Sequence, residues 1–76
     1  MVKHTMTVNA YIEWDEESRL FVGIVPGIHG AHTQGATLDE LDKNLLEVLA
    51  LCYEEDREEF QSLPRYVGTH QLEVVV

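Results

Sequence analysis

Cysteine and basic residues are scarce in this sequence. Its 76 residues include one cysteine, five lysines and arginines, and fourteen aspartates and glutamates. A single cysteine excludes a disulfide within the chain. The formal charge of −9 disfavours direct nucleic-acid binding because it repels phosphates, and it is consistent either with a need for solubility or with a basic protein partner. The length indicates one domain, residues 1–76, whose small core we expect oligomerisation to supplement.

Long apolar runs are also missing. No segment approaches the ~20 apolar residues of a membrane-spanning helix. Met1–Thr5 lacks the charged start and apolar stretch of a secretion signal. We therefore expect a cytoplasmic protein.

The residue constellations that catalysis requires are largely absent. The glycines of strands and turns lack the spacing of a phosphate-binding loop. Cys52 lies among leucines with no histidine nearby in sequence, where a thiol behaves as a small hydrophobe. A two-metal nuclease would need acidic residues on inner strand positions, whereas Glu13 is expected on an outer face and Asp15–Glu17 in a turn. We expect no enzyme activity and no catalytic residue.

Four histidines are the remaining candidates for metal chemistry. Two are three residues apart in a predicted loop, and two would lie at adjacent strand ends if the last strand paired with the first: His29 and His32, and His4 and His70. A zinc site needs further ligands at a recognisable spacing, and none is evident. We expect neither a metal site nor a cofactor.

The first half of the chain has the alternation of a hairpin. Met6–Trp14 alternates apolar and polar residues, which is typical of a strand with one buried face. The short polar segment Asp15–Ser18 connects it to Leu20–Val25, so we expect an antiparallel pair. The residues of the second strand expected to face inward are Leu20, Val22 and Ile24.

Glycine and proline then mark the next boundaries. Gly23 within a strand suggests a bulge or a close neighbour. Pro26-Gly27 ends that strand, because proline cannot donate a ladder hydrogen bond and glycine accepts turn conformations. Ala31–Gln34 is long enough for a short third strand.

A helix follows with a clear start. Thr37 and Glu40 have the spacing of a capping box. The apolar residues that follow recur every three or four positions and predict a stripe facing a sheet: Leu38, Leu41, Leu45, Val48, Leu49 and Cys52. On one flank, Leu46, Ala50 and Tyr53 suggest a second buried contact.

The charged run Glu54–Glu59 occupies the C-terminal half of this helix. It is either a solvated helix face or a docking surface. Its negative charge opposes the helix dipole, so we expect fraying there. Phe60 and Leu63 are expected to anchor this end before Pro64.

Leu72–Val76 has the composition of a final strand. The order is then β-β-β-α-β, an α+β fold with one helix packed on one face of the sheet. A right-handed crossover would place the fourth strand parallel to the first and beside it. The second sheet face would be open or covered by another subunit.

Several of these segments together resemble the HicB family of antitoxins. The resemblance spans residues 5–55 and is carried by Tyr11–Glu17, Phe21-Val22, Val25–Gly30, and His32–Thr37 followed by Leu38-Asp39-Glu40. Its most specific part is the Pro-Gly-x-x-Gly-x-x-Thr-x-Gly-x-Thr run from Pro26 to Thr37, which leads into the capped helix.

The resemblance implies a partial ribonuclease-H-like fold without nuclease chemistry. It also implies that the protein binds and neutralises a HicA-type toxin, a small basic protein that cleaves messenger RNA. Many relatives carry a C-terminal DNA-binding domain, whereas this chain reaches only Val76, so we expect a short form without direct DNA binding. The alternative is a stand-alone homo-oligomeric binding module with an unknown ligand and no toxin partner.

Two surfaces are candidates for contacts. The residues expected to bind the toxin are Asp15, Glu16, Glu17, Pro26, Gly27, Ile28, His29, Gly30, Glu54 and Glu55. The apolar residues expected at the interface of a homodimer or homotetramer are Val74, Val75 and Val76, because a natural sheet rarely leaves such a strand edge bare.

Overall fold

The structure, a computed structural model, describes residues 5–76. The predictions that involve Met1–His4, including the pairing of His4 with His70, lie outside these residues. The elements are β1 (Tyr11–Asp15), β2 (Leu20–Ile24), β3 (His32–Gly35), α1 (Leu38–Glu55) and α2 (Arg57–Gln61). The strands form one antiparallel sheet in the order β1-β2-β3. The predicted α+β class and the order of three strands before the main helix are confirmed.

The β1–β2 turn is fixed by hydrogen bonds of Asp15. Its carbonyl accepts from the Arg19 amide at 2.8 Å, and its carboxylate accepts from the Ser18 hydroxyl at 2.7 Å. Arg19 has a φ of 60°, the left-handed conformation that reverses the chain. Regular pairing begins only at Tyr11, later than predicted. The predicted alternation still applies upstream, since Val8 and Ala10 pack against the core.

Gly23 determines which face of β2 the helix covers. A methyl group at this position would lie 2.9 Å from Leu45 Cδ1 and 3.2 Å from Leu41 Cδ1. The predicted close neighbour is therefore helix α1, which needs the missing side chain to approach the sheet. Because side chains alternate along a strand, the predicted inward orientation is wrong for Leu20, Val22 and Ile24, which lie on the face away from α1.

Helix α1 covers only part of the sheet. It packs on β3 and β2 and does not reach β1. Ile12 is paired with Gly23 and so lies on the helix side of the sheet, together with Trp14. These two side chains remain 45% and 44% exposed. The sheet thus has an apolar strip on its helix side that α1 leaves open.

The start of α1 follows the predicted cap closely. The Thr37 hydroxyl accepts from the Glu40 amide at 3.1 Å. The Glu40 carboxylate reaches back to the Ala36 amide at 3.2 Å, one residue before the position expected for a capping box. Leu41 and Leu45 are buried, and burying each leucine contributes about 1.5–3 kcal/mol.

The loop between β2 and β3 contributes to the core. The Val25 amide donates to the Ala31 carbonyl at 2.8 Å, which closes the loop. Val25, Ile28 and Ala31 are buried and pack with Phe60. The loop is therefore held in place by its own apolar side chains.

The predicted single helix is interrupted at Asp56, which sequence reasoning missed. The Asp56 amide ends α1 by donating to the Cys52 carbonyl at 2.9 Å. Its carboxylate accepts from the Glu58 amide at 3.1 Å and so caps α2. Asp56 and Glu59 have capping-box spacing, a signal that could have revealed the break. Phe60 is buried, as predicted, with its ring 5.2 Å from that of Tyr53. Neither helix in the described part of the chain could cross a membrane.

The predicted fourth strand is wrong for the isolated chain. Among the described residues, 62–76 form no strand. Leu63–Arg65 and Thr7–Asn9 line one groove, while Tyr66 and Thr69 face Asn9–Glu13 across the next. The chain thus already follows β1 in the parallel direction from residue 63. Leu72, Val74, Val75 and Val76 are exposed, and no strand of the described residues lies beside β1 on this side.

Candidate functional site

The junction of α1 and α2 carries a dense group of carboxylates. We call this group the acidic patch, and its members are Glu54, Glu55, Asp56, Glu58 and Glu59. Arg57 is the one basic residue in the run, and its guanidinium lies over the Tyr53 ring, 5.2 Å from the centroid. Among residues 5–76, the single ion pair within 4 Å joins Arg19 to Glu16. Among the described residues, no carboxylate of the patch is therefore held in an ion pair.

The loop Pro26–Gly30 lies directly beside the acidic patch. The His29 amide donates to Glu59 Oε2 at 3.2 Å, and the Cys52 thiol donates to the His29 carbonyl at 3.6 Å. Between them lies a depression of about 310 Å³, lined by His29, Cys52, Glu55, Asp56 and Glu59. The loop and the patch therefore meet at His29.

Of the residues predicted to bind a partner, the structure places His29 and Glu55 together in this depression, whereas Pro26 and Gly27 lie near Leu63 and Pro64. Glu54 and Glu55 belong to the patch, and Pro26–Gly30 form the adjoining loop. Ile28 differs from its neighbours because its side chain is 5% exposed and packs in the core. A partner could contact only its backbone.

The other three predicted residues lie at the far end of β2. Asp15–Glu17 belong to the β1–β2 turn, about 17 Å away at the usual rise along a strand. Two of these carboxylates are engaged locally, since Glu16 accepts from Trp14 Nε1 at 2.7 Å and Asp15 from Ser18. The Ser18 hydrogen bond lowers the pKa of Asp15 below its usual value. These side chains shape the turn.

The site contains residue types that bind metals or act as nucleophiles. Among the described residues, no group of three or more histidines, cysteines, aspartates or glutamates has a metal-binding arrangement. Burial, reinforced by the carboxylates of Glu55 and Glu59, raises the pKa of the Cys52 thiol. Because the thiolate is the nucleophilic form, the protonated Cys52 is suited to packing and hydrogen bonding.

The flank of α1 keeps an apolar groove that the sequence predicted as buried. Leu46 is 70% exposed and Ala50 is exposed, while Tyr53 is half-buried. The groove has a volume of about 270 Å³ and is lined by Met6, Val8, Leu46, Leu49, Ala50, Tyr53 and Phe60. Of the three flank residues predicted to be buried, only Tyr53 has such a contact in the isolated chain, with the ring of Phe60.

The residues predicted for the oligomer interface are far from the acidic patch in the chain. Val74, Val75 and Val76 are strongly exposed and form no strand. Their role in an interface stays a prediction.

These features define a small α+β protein with a fixed, acidic surface at one end of its sheet. A UPF0150 protein of Thermotoga maritima is 43% identical over 65 residues, which cover 86% of this chain and 85% of that protein. A UPF0150 protein of Synechocystis is 38% identical over 63 residues, covering 83% and 87%. The chain belongs to the UPF0150 family. No family model and no solved structure matches it.

Proposed function

We propose that this UPF0150 protein is a HicB-like antitoxin that binds and neutralises a small basic toxin of the HicA type by protein–protein contact. The observation that carries the proposal is the acidic patch beside the fixed loop Pro26–Gly30. Patch and loop offer a partner a preformed surface of one charge sign. Such a surface accelerates encounter with a basic partner and excludes acidic ones.

Binding requires little rearrangement of this surface. The buried side chains of Ile28 and Phe60 hold the loop and α2 on one core, and the His29–Glu59 hydrogen bond joins their exposed sides. Less conformational freedom is then lost on association, which leaves more of the interaction free energy for affinity.

The antitoxin itself performs no catalysis in this proposal. It covers the surface with which the toxin cleaves messenger RNA, and we place this action in the cytoplasm. Purified protein supplied with Mg²⁺ or Mn²⁺ is expected to leave RNA and RNA–DNA hybrids intact.

Co-expression with the neighbouring gene tests the proposal. That gene should encode a short basic protein that is toxic alone, and the present chain should relieve the toxicity and co-purify with its product. If the neighbour is not toxic, or if this chain neither relieves toxicity nor co-purifies, the proposal is wrong.

A pair of charge variants tests the placement of the site. Glu54→Lys with Glu55→Lys should abolish relief of toxicity. The matched control, Asp42→Lys with Glu47→Lys, makes the same four-unit change to the formal charge of −9 on exposed residues of α1 outside the patch, and should retain relief. Equal losses in both variants would show that total charge, and not the patch, is responsible.

The second candidate is a stand-alone homo-oligomeric binding module without a toxin. The exposed strip at Ile12 and Trp14 and the apolar C-terminal residues favour self-association. This candidate predicts a stable oligomer from a gene with no basic neighbour.

A further inference from the structure

The last residues of the described chain project away from the body of the protein. Leu72, Val74, Val75 and Val76 are 71% to 113% exposed. The Cα radius of gyration is 14.5 Å and the longest dimension is 53 Å, against 27 and 17 Å for the others. A compact domain of this length would have a radius of gyration of about 11 Å. We call residues 70–76 the C-terminal arm.

The arm has the sequence of a strand. It contains three consecutive valines, a leucine and a single acidic residue, and β-branched residues favour strands. Fully extended, its seven residues span about 23 Å, somewhat longer than β1. An apolar, unpaired strand of this length is a feature that folded proteins rarely leave in water.

The two outer edges of the sheet differ in their availability. The β3 edge lies beneath α1, and Asn44 Nδ2 donates to the Gln34 carbonyl at 2.8 Å, so its backbone is partly capped. The outer edge of β1 has no strand beside it within residues 5–76. β1 is the open edge.

A groove runs along that edge, and we call it the slot. It has a volume of about 370 Å³, with Asn9–Glu13 on one side and Tyr66 and Thr69 on the other. Tyr66 rests against Tyr11 with ring centroids 6.3 Å apart. The arm of the same chain does not fill this slot, because Tyr66 and Thr69 form its outer wall and Leu72, Val74, Val75 and Val76 are exposed.

We propose that the arms are exchanged between two copies of this protein, each arm filling the slot of the other and pairing antiparallel with the outer edge of β1. A two-fold axis beyond the C-terminal end of β1 satisfies both contacts at once, because residues 63–69 run parallel to β1 and lead the arm toward that end. The sheets of the two copies then become continuous. This dimer does not depend on the antitoxin role and can be measured without a toxin.

The side-chain alternation of the arm fits the two faces of β1. In the proposed dimer, Leu72, Val74 and Val76 lie on the helix side of the sheet. There they pack beside Ile12 and Trp14, the strip that α1 leaves open. Glu73 and Val75 then lie on the opposite face. The exchange therefore covers apolar surface on both the arm and the strip, and the one charged residue of Leu72–Val76 stays in water.

Size-exclusion chromatography with light scattering tests the exchange. The intact chain is expected to have about twice the monomer mass of 8.7 kDa at micromolar concentrations. A variant truncated after Thr69 should have the monomer mass with unchanged helical circular dichroism, because the arm is not packed in the core of its own chain. A monomeric intact chain, or a truncated chain that remains dimeric, would overturn the proposal.

Two point variants test which face of the arm is buried. Val74→Asp should give a monomer, whereas Val75→Asp, with the same charge one residue further along, should retain the dimer. Equal behaviour of the two variants would contradict the assigned face. In a Cys52→Ser background, a mixture of separate Val74→Cys and Ile12→Cys chains should form a mixed disulfide under oxidation. The absence of this product from a dimer of intact mass would contradict pairing with β1.

Discussion

Gly35 at the end of β3 lies against the backbone of Leu41 in the first turn of α1. A Cβ atom at position 35 would lie 2.6 Å from the Leu41 amide nitrogen and 2.9 Å from its Cα. Such distances are possible only without a side chain. This contact sets how closely the first turn of α1 approaches the sheet. Gly35 also belongs to the Pro26–Thr37 run that carries the resemblance to the HicB family.

Gly35→Ala should destabilise the fold by about 3 kcal/mol, the upper part of the range for overpacking, because the opposing atoms belong to the backbone. Gly23→Ala meets the ends of the Leu41 and Leu45 side chains, which can move, and should cost about 1 kcal/mol. Urea unfolding followed by circular dichroism at one protein concentration measures both values. Equal decreases in the free energy of unfolding would contradict the view that the backbone contact at Gly35 is less tolerant than the side-chain contact at Gly23.

Thr37→Ala should lower the free energy of unfolding by about 1 kcal/mol, because the Glu40 amide loses its acceptor. Thr37→Ser keeps the hydroxyl and should remain close to the parent protein in thermal or urea unfolding. If the free energy of unfolding falls by the same amount in the serine and alanine variants, the contribution of Thr37 comes from packing of its methyl group and not from the cap.

Ionisation of Cys52 should weaken the fold at alkaline pH. Because burial and the carboxylates of Glu55 and Glu59 raise the pKa of the folded thiol, the folded state binds a proton that the unfolded state has already lost. This contribution to stability is fully present below the unfolded thiol pKa and is lost as the pH rises through the folded pKa.

The measurement is urea unfolding across this pH range for the parent protein and Cys52→Ala. The parent should lose more stability than the variant as the pH rises, and iodoacetamide should alkylate the unfolded chain faster than the folded one at mildly alkaline pH. Identical pH profiles of the two proteins would contradict an elevated thiol pKa.

Local signals in the sequence were sufficient for several elements. The alternation along residues 6–14, the turn at Asp15–Ser18 and the capping box at Thr37 each depend on neighbours a few residues apart. The structure confirms the antiparallel β1–β2 pair and the cap at Thr37. The break at Asp56 had a similar local signal, which was obscured by the surrounding run of charges.

The candidate site was only partly accessible to the same reasoning. Charge and turn composition predicted Glu54, Glu55 and Pro26–Gly30 as contact residues, but not that His29 and Glu55 line one depression. That proximity depends on Phe60 and Ile28 packing in one core and on the hydrogen bond between His29 and Glu59. In the folded chain, the length of β2 separates Asp15–Glu17 from the site.

By itself, the sequence determined the α+β class, the acidic charge and the starts of the hairpin and main helix, because each follows from composition or short-range periodicity. Only the tertiary structure decided which face of β2 is buried, because the space left by Gly23 admits Leu41 and Leu45 of α1 and turns Val22 to the other side. It also decided the position of the C-terminal arm, because Tyr66 packs against Tyr11 beside β1 while the valines beyond it stay exposed.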